Sequence, residues 1–137
     1  MDAISLLAKI KKSPRVFIIG NGGGYANAMH IANDLLGCGV RVFTLDPATL
    51  TAFANDFGYE TVFARWIESC ADKGDLLIAL SGSGRSPNIL AALRVASDKG
   101  METALVTDYL RSRDMQESEE DQLVLGHELM RALRDGR

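Results

Sequence analysis

The sequence has few cysteines and no excess of basic residues. Only Cys38 and Cys70 occur among its 137 residues, which is too few for a scaffold held by disulfides, so both thiols are expected to be reduced. The formal net charge is −3. A nucleic-acid-binding surface requires a positive field that this composition does not supply. We therefore expect no nucleic-acid partner.

Long apolar runs are also missing. No run is long enough to cross a bilayer, and none near the first residues has the pattern of a signal peptide. We therefore expect a cytoplasmic protein without a membrane partner. Hydrophobic residues nevertheless make up 47% of the chain. Because that is enough apolar content for one core, residues 1–137 are expected to form a single domain.

The apolar residues that are present form four short runs typical of strands buried on both faces. Each run is rich in Val, Ile or Leu and lacks polar alternation. The predicted strands are Val16–Gly20, Val40–Leu45, Asp75–Ser81 and Thr103–Thr107. The predicted helices are 1–12, 24–37, a shorter one that opens at 46–47, 59–73, 86–99 and 116–134. The polar segment 107–122 is either a loop or the start of the last helix.

The alternation of strands and helices predicts an α/β protein. Such a chain forms a parallel sheet with helices on both faces and right-handed crossovers. We expect a flavodoxin-like sheet of four strands, or of five. If the strand order is 2-1-3-4, the turns after the first and third strands open into one crevice at the topological switch point, where such sheets bind ligands.

Two turns rich in glycine follow those two strands. One is Gly20–Gly24 (GNGGG), and the other is Ser81–Ser86 (SGSGRS). A helix N-terminus offers free N–H groups and the positive dipole end to an anion, and glycine lets the backbone approach it. The serine hydroxyls add donors for phosphate oxygens. Either turn alone could reflect tight packing, but the pair favours a phosphate or sugar-phosphate ligand.

Two common nucleotide motifs are absent or incomplete. The Walker pattern GxxxxGK[ST] is missing, which argues against an NTPase. Gly20-x-Gly22 begins like a dinucleotide fingerprint, and Asp46 could mimic its ribose-binding acid, but Tyr25 stands at the last required glycine position. An NAD-dependent oxidoreductase would also leave the serine turn unexplained, so it is a distant alternative.

The two histidines of the chain stand in helical patterns with a carboxylate nearby. His30 and Asp34 are four residues apart, so they share one helix face. His127 follows Gly126 in an apolar helix. Taken alone, the pair is typical of an exposed helix face and His127 of a core edge. Together they are also acceptable ligands for a zinc-type ion.

Three segments in order resemble the sugar isomerase (SIS) domain family, and within it the phosphoheptose isomerase group. They are GNGGGYANAMHIANDL, LTAFANDFGYETVFARWI and GDLLIALSGSGRSPNILAAL. The resemblance implies a three-layer α/β/α domain and a phosphorylated sugar as ligand. It also implies contacts from three groups of residues. Those groups are Asn21, Gly22 and Gly23 on the sugar, Asn55 and Asp56 also on the sugar, and Ser81, Gly82, Ser83 and Ser86 on the phosphate.

The same resemblance implies a zinc site and an acid–base pair. His30 and His127 match the family's two histidines, Asp34 stands in place of a Glu, and Glu119 in place of a Gln. These four residues are the implied metal ligands. The implied reaction is aldose–ketose isomerisation of sedoheptulose 7-phosphate through an enediol, with Asp34 as base and His127 as partner acid or base. Glu119 and His127 are eight residues apart, about 12 Å along a helix, so joint chelation would need a distorted helix or another subunit.

This chain departs from the family pattern in two respects. Asp34 is one methylene shorter than Glu, which moves the carboxylate by roughly 1.5 Å. The domain is also shortened at the N-terminus and before the last helix, and covering the apolar surface left open implies a homodimer or homotetramer. The alternative function is therefore a non-catalytic SIS module that binds a phosphosugar or acts as a protein adaptor.

Overall fold

The structure is a computed structural model that describes residues 2–109 and 114–136. Strands and helices alternate along most of this part of the chain. The strands are β1 Val16–Gly20, β2 Val42–Phe43, β3 Leu76–Leu80 and β4 Glu102–Leu105. The helices are α1 Ala3–Lys12, α2 Gly23–Gly37, α3 Pro47–Phe57, α4 Val62–Cys70, α5 Pro87–Asp98 and α6 Met115–Asp135. Short 3-10 turns cover Tyr59–Thr61 and Val106–Tyr109. No described helix is both long and apolar enough to span a membrane.

The four described strands form one parallel sheet in the order β2-β1-β3-β4. The predicted α/β class and parallel sheet of four strands are therefore confirmed, and the strand order is the one that places both glycine-rich turns at one crevice. β1 and β3 are neighbours in the sheet, and Gly20 at the end of β1 is in register with Leu80 at the end of β3. The turns that follow these two strands consequently start side by side at the same edge.

Helices cover both faces of the sheet because successive strand residues point to opposite sides. Val16 and Ile18 belong to a core cluster with α1, α2 and α6. Phe17 and Ile19 belong to a second cluster with α4 and α5. The result is a three-layer α/β/α sandwich, as the family resemblance implied.

Several element boundaries differ from those predicted. β2 has only two residues because it is an edge strand that pairs with β1 alone. The helix predicted over 59–73 begins as a 3-10 turn and ends at Cys70. Beyond it the Asp75 carboxylate accepts a hydrogen bond from the Asp72 backbone and pairs with Arg15, which draws the chain into a polar turn. The undecided segment 107–122 contains the start of α6 at Met115, capped by Asp114.

Helix α6 packs closely against α2, and this contact positions the site described below. Gly126 makes the approach possible, since a Cβ there would lie 2.5 Å from Ile31 Cγ1. One turn earlier, the buried Asn27 amide donates to Gln122 Oε1 and to the Glu119 carbonyl, both at 2.9 Å. The buried network holds the first half of α6 over the start of α2.

Candidate functional site

The glycine turn is tight because the start of α2 folds back onto the end of β1. A Cβ on Gly20 would lie 2.5 Å from the Gly24 carbonyl oxygen, so no larger residue fits there without a backbone shift. Gly22 has φ +54°, in the left-handed region that glycine adopts readily. The same turn brings α2 close to the end of β3, since a Cβ on Gly24 would lie 3.3 Å from the Leu80 carbonyl oxygen.

The serine turn contains three hydroxyl groups. Two of them accept hydrogen bonds from the backbone of the turn, and the third makes no capping hydrogen bond. Ser81 Oγ accepts from the Gly84 N–H at 3.0 Å, and Ser83 Oγ accepts from the Arg85 N–H at 3.1 Å. Each hydroxyl keeps its own hydrogen to donate. Ser86 is the N-cap of α5, but its side chain makes no capping hydrogen bond. All three hydroxyls can therefore donate to an anion.

Both turns line one small pocket, with a cavity volume of about 50 Å³. Its walls come from the ends of β1 and β3, the starts of α2 and α5, and the first turns of α6. The lining includes Asn21, Gly24, Ser81, Gly82, Ser83, Ser86, Met115, Glu119 and Gln122. The structure thus brings together the residues that the sequence assigned to phosphate binding, and it adds α6 as a wall that sequence reasoning did not place there.

Asn21 is held by two side chains that the sequence analysis did not assign to the site. The amides of Asn21 and Asn88 exchange hydrogen bonds of 2.9 and 2.8 Å, and Tyr59 Oη donates to Asn21 Oδ1 at 2.6 Å. Asn88 is buried in the first turn of α5. No local pattern marks these residues, because their contacts span 67 and 38 positions of sequence.

Asn55 and Asp56 lie in the last turn of α3, where Asp56 is exposed and Asn55 donates to it. The bond runs from Asn55 Nδ2 to Asp56 Oδ1 at 3.0 Å. Neither residue is among those that line the pocket between the two turns. From this stretch of the chain it is Tyr59 that reaches the glycine turn.

Tyr25 lies beside the glycine turn but is not part of the pocket lining. Its hydroxyl donates to the Leu45 carbonyl oxygen. Burial raises the pKa of the Tyr25 phenol, and the nearby Asp46 and Tyr59 raise it further. The group therefore stays protonated and acts as a structural donor.

A second group of polar side chains lies where α2 and α6 touch. His30 Nε2 and His127 Nε2 are 3.2 Å apart, and Asp34 Oδ2 lies 3.3 Å from the first and 3.5 Å from the second. We call these three residues the His–Asp–His cluster. Asp34 Oδ2 is buried and makes no hydrogen bond within the described part of the chain.

The donor set of this cluster fits a divalent metal ion. Zinc takes imidazole nitrogen and carboxylate oxygen at about 2.0–2.2 Å in a tetrahedron, whose edges are then about 3.3–3.6 Å. The three observed separations match such edges, and the buried carboxylate oxygen has no hydrogen-bond partner among the described residues. The cluster could therefore hold a metal ion. It contains both histidines of the chain, which the sequence analysis had identified as acceptable zinc ligands.

The structure does not bring Glu119 to the cluster. Its carboxylate lies over Gly23, where a Cβ would be 2.3 Å from Glu119 Cδ. Glu119 instead lines the pocket between the two turns. The eight-residue separation from His127 along one helix is the reason, since α6 is regular over this length.

Comparison with known proteins identifies one protein family. The model of the SIS domain matches residues 2–108, and the chain therefore belongs to the SIS domain family. It is 39% identical to the phosphoheptose isomerase of Burkholderia pseudomallei (strain 1710b), in an alignment that covers 91% of this chain and 75% of that enzyme. Within the family, the chain belongs to the phosphoheptose isomerase group.

Other relatives and solved structures agree with this assignment. The phosphoheptose isomerase of Vibrio parahaemolyticus is 42% identical over 71% of this chain and 54% of its own length. The structure of the Neisseria gonorrhoeae phosphoheptose isomerase superposes with a TM-score of 0.83 at 23% identity, covering 97% of this chain and 83% of that one. At that identity the superposition supports the fold alone. The family resemblance is confirmed by the alignment with the Burkholderia pseudomallei enzyme, which covers 91% of this chain.

Proposed function

We propose that this protein is an aldose–ketose isomerase that acts on sedoheptulose 7-phosphate through an enediol. The observation that carries the proposal is its likeness to the Burkholderia pseudomallei phosphoheptose isomerase along most of the chain. The geometry supports the same conclusion, because an anion-binding pocket and a cluster of titratable side chains lie on the same two helices, α2 and α6.

The separation of these two regions suits a seven-carbon substrate. Gly24 at the pocket and His30 in the cluster are six residues apart on α2, which is about 9 Å along the helix axis. An extended heptose 7-phosphate has eight bonds from C1 to phosphorus, or about 10 Å at roughly 1.25 Å per bond. A substrate whose phosphate lies in the pocket and whose chain follows α2 would therefore place C1 and C2 near the cluster.

Each region has its own task in the proposed mechanism. The hydroxyls of Ser81, Ser83 and Ser86 bind the phosphate, and Gly22 and Gly23 of the glycine turn bind the sugar chain. At the other end Asp34 removes the proton from the carbon next to the carbonyl. As the enediol forms, the carbonyl oxygen takes up a proton from a partner acid. Asp34 then returns its proton to the neighbouring carbon while the other oxygen gives up its hydroxyl proton to become the new carbonyl, so the carboxylate and the partner are both regenerated in each turnover.

Zinc is the ion that we propose for the cluster, held by His30, Asp34 and His127. When bound, a zinc ion supplies positive charge that stabilises the developing oxyanion. Asp34 Oδ2 faces the two imidazoles, which leaves Oδ1 as the proton-accepting atom. His127 Nε2 faces the cluster, so its other ring nitrogen, Nδ1, is the one that acts as partner acid or base at the substrate oxygens. Glu119 is assigned to the sugar pocket rather than to the ion.

Replacement of Ser86 by alanine tests the phosphate site. The Ser86 side chain makes no capping bond, so the S86A variant should keep the thermal stability of the parent protein. A hydrogen bond to a charged group is worth about 1.5–3 kcal/mol, so the Kd for inorganic phosphate should rise about tenfold or more. Calorimetric titration measures this change, with Ser69→Ala on the exposed face of α4 as the matched control. Equal phosphate affinity in S86A and S69A would refute the site.

Replacement of Glu119 by glutamine tests the position of that carboxylate. Glu119 shares the pocket with the serine turn, so its charge repels a bound phosphate. Removing one such charge at a distance of several ångströms should tighten inorganic phosphate binding about threefold to tenfold. Glu120→Gln, one residue along the same helix and exposed, should leave the affinity unchanged. Weaker binding by E119Q, or an equal effect of E120Q, would count against this placement.

A further inference from the structure

We infer that Tyr59 and Asn88 are positioning residues that make Asn21 a hydrogen-bond donor toward the bound phosphate. The inference rests on the proposed function, because it takes the serine turn as the phosphate site. It concerns two residues that have no place in the mechanism above. Their contacts join the glycine turn to the start of α5 and to the 3-10 turn after α3.

The hydrogen bonds of Asn21 can be counted completely. A primary amide has two N–H donors and two acceptor lone pairs. Asn21 Oδ1 accepts from Tyr59 Oη and from Asn88 Nδ2, and one Nδ2 hydrogen goes to Asn88 Oδ1. Within residues 2–109 and 114–136 the second Nδ2 hydrogen has no partner. Because Asn21 lines the serine-turn pocket, this N–H is the group that it offers to a ligand.

The Tyr59 hydroxyl decides which way the amide pair is oriented. The reciprocal pair of Asn21 and Asn88 would keep both of its bonds if both amides flipped together. Asn21 would then turn a lone pair of Oδ1 toward the pocket, which an anion repels. In the observed orientation Asn21 Oδ1 accepts the phenolic hydrogen of Tyr59. In the flipped orientation Asn21 Nδ2 would donate to Tyr59 Oη instead, and the phenolic hydrogen would lose its acceptor on Asn21. Tyr59 therefore favours the donor state of Asn21.

Burial makes this selection effective. Asn88 is 3% exposed, so its amide has little access to water and depends on Asn21 for its partners. An unpaired amide at such a position costs more than the bond itself is worth. Tyr59 is 48% exposed, so the loss of its hydroxyl removes one hydrogen bond without opening a cavity. Tyr59→Phe is consequently the cleanest variant for a test.

The experiment compares Tyr59→Phe with the parent protein by calorimetric titration of inorganic phosphate. The Kd should rise about threefold to tenfold, as expected for the loss of one hydrogen bond that orients a donor. With sedoheptulose 7-phosphate, KM should rise by the same factor while kcat stays within about twofold, because the lost interaction is uniform binding of the phosphate. Tyr25→Phe is the matched control, since that hydroxyl bonds the Leu45 carbonyl instead, and it should leave the phosphate Kd unchanged.

A double-mutant cycle separates positioning from a direct contact. If Tyr59 acts through Asn21, Tyr59→Phe has no further effect on phosphate affinity in the Asn21→Ala background. Additive losses would overturn the inference, as would an unchanged Kd in Tyr59→Phe alone. Asn88→Asp, which sets a carboxylate oxygen against Asn21 Oδ1, should raise the Kd more than about tenfold through repulsion of the phosphate.

Failure of the inference can be told apart from failure of the proposed function. If Ser86→Ala weakens phosphate binding but Tyr59→Phe does not, the phosphate site stands and the positioning role is wrong. If both variants weaken binding but the parent protein does not isomerise sedoheptulose 7-phosphate, the positioning role stands and the proposed reaction is wrong.

Discussion

Replacing Asp34 by asparagine is expected to reduce the rate of isomerisation of sedoheptulose 7-phosphate by a factor of about one hundred to ten thousand. The amide cannot accept the proton from carbon, and it is a poor ligand compared with a carboxylate. The variant should still fold, because the side chains have nearly the same size. Its turnover is measured with purified protein at saturating substrate.

Phosphate affinity should survive this substitution, since Asp34 is not among the residues that line the serine-turn pocket. The D34N variant should therefore bind inorganic phosphate within about twofold of the parent Kd, a change of about 0.4 kcal/mol. Asp98→Asn, on an exposed position at the end of α5, is the matched control and should keep full turnover. A D34N protein that retains parental activity would exclude Asp34 as the base.

The cluster variant His127→Ala adds a readout that does not depend on activity. Only His30 and Asp34 would remain as ligands, so the zinc content after dialysis should fall well below that of the parent protein. Loss of even one outer partner of a metal ligand costs about 10–100-fold in affinity, and the loss of a ligand itself should cost at least as much. Equal zinc content in both proteins, measured by elemental analysis, would place the ion elsewhere.

Replacing Gly126 by alanine should have the largest effect on the packing that assembles the cluster. The new Cβ would lie 2.5 Å from Ile31 Cγ1, an atom close to the backbone of α2 that cannot move aside. Overpacking of this kind costs typically 1–3 kcal/mol, against about 0.5–1 kcal/mol that alanine gains over glycine in a helix. We therefore expect a lower free energy of unfolding in chemical denaturation.

The turnover of the G126A variant should fall strongly even under conditions in which the protein remains folded. His127 follows Gly126 directly, so pushing α6 away from α2 moves its imidazole away from His30 and Asp34. A displacement of about 1 Å can cost on the order of a hundredfold in rate. Turnover and zinc content should fall together, while the serine turn keeps its affinity for phosphate.

Two further variants make the Gly126 prediction specific. A Cβ added to Gly37, the last residue of α2, would meet no atom of a described neighbouring element within 4 Å, so Gly37→Ala should leave stability unchanged or raise it. Ile31→Ala removes the atom that the new methyl group meets. In combination with Gly126→Ala it should destabilise the protein less than the sum of the two single changes. Additive losses, or a stable and active G126A, would contradict the packing argument.

Local features of this protein followed from its sequence. β1 was predicted with its observed ends, and Ser86 and Pro87 marked the start of α5, because strand burial and helix caps depend on residues that are neighbours in the chain. Both glycine turns were also recognisable, since each lies at a strand-to-helix junction. The strand order 2-1-3-4 entered the sequence analysis only as a condition, because connection rules limit handedness but allow several orders, and the structure supplied it.

Tertiary structure alone decided which side chains of different elements meet. Glu119 and His127 share one helix, yet the first lies over Gly23 and the second against His30, because α6 runs alongside α2 from its first turns to its C-cap at Cys38. The partners Tyr59 and Asn88 are far from Asn21 in sequence and leave no periodic signal there. Sequence determined the elements because their stability is set within a few residues. The arrangement of donors around the pocket depends on how whole helices pack. This packing is close enough that a single methyl group added at Gly126 would disturb it.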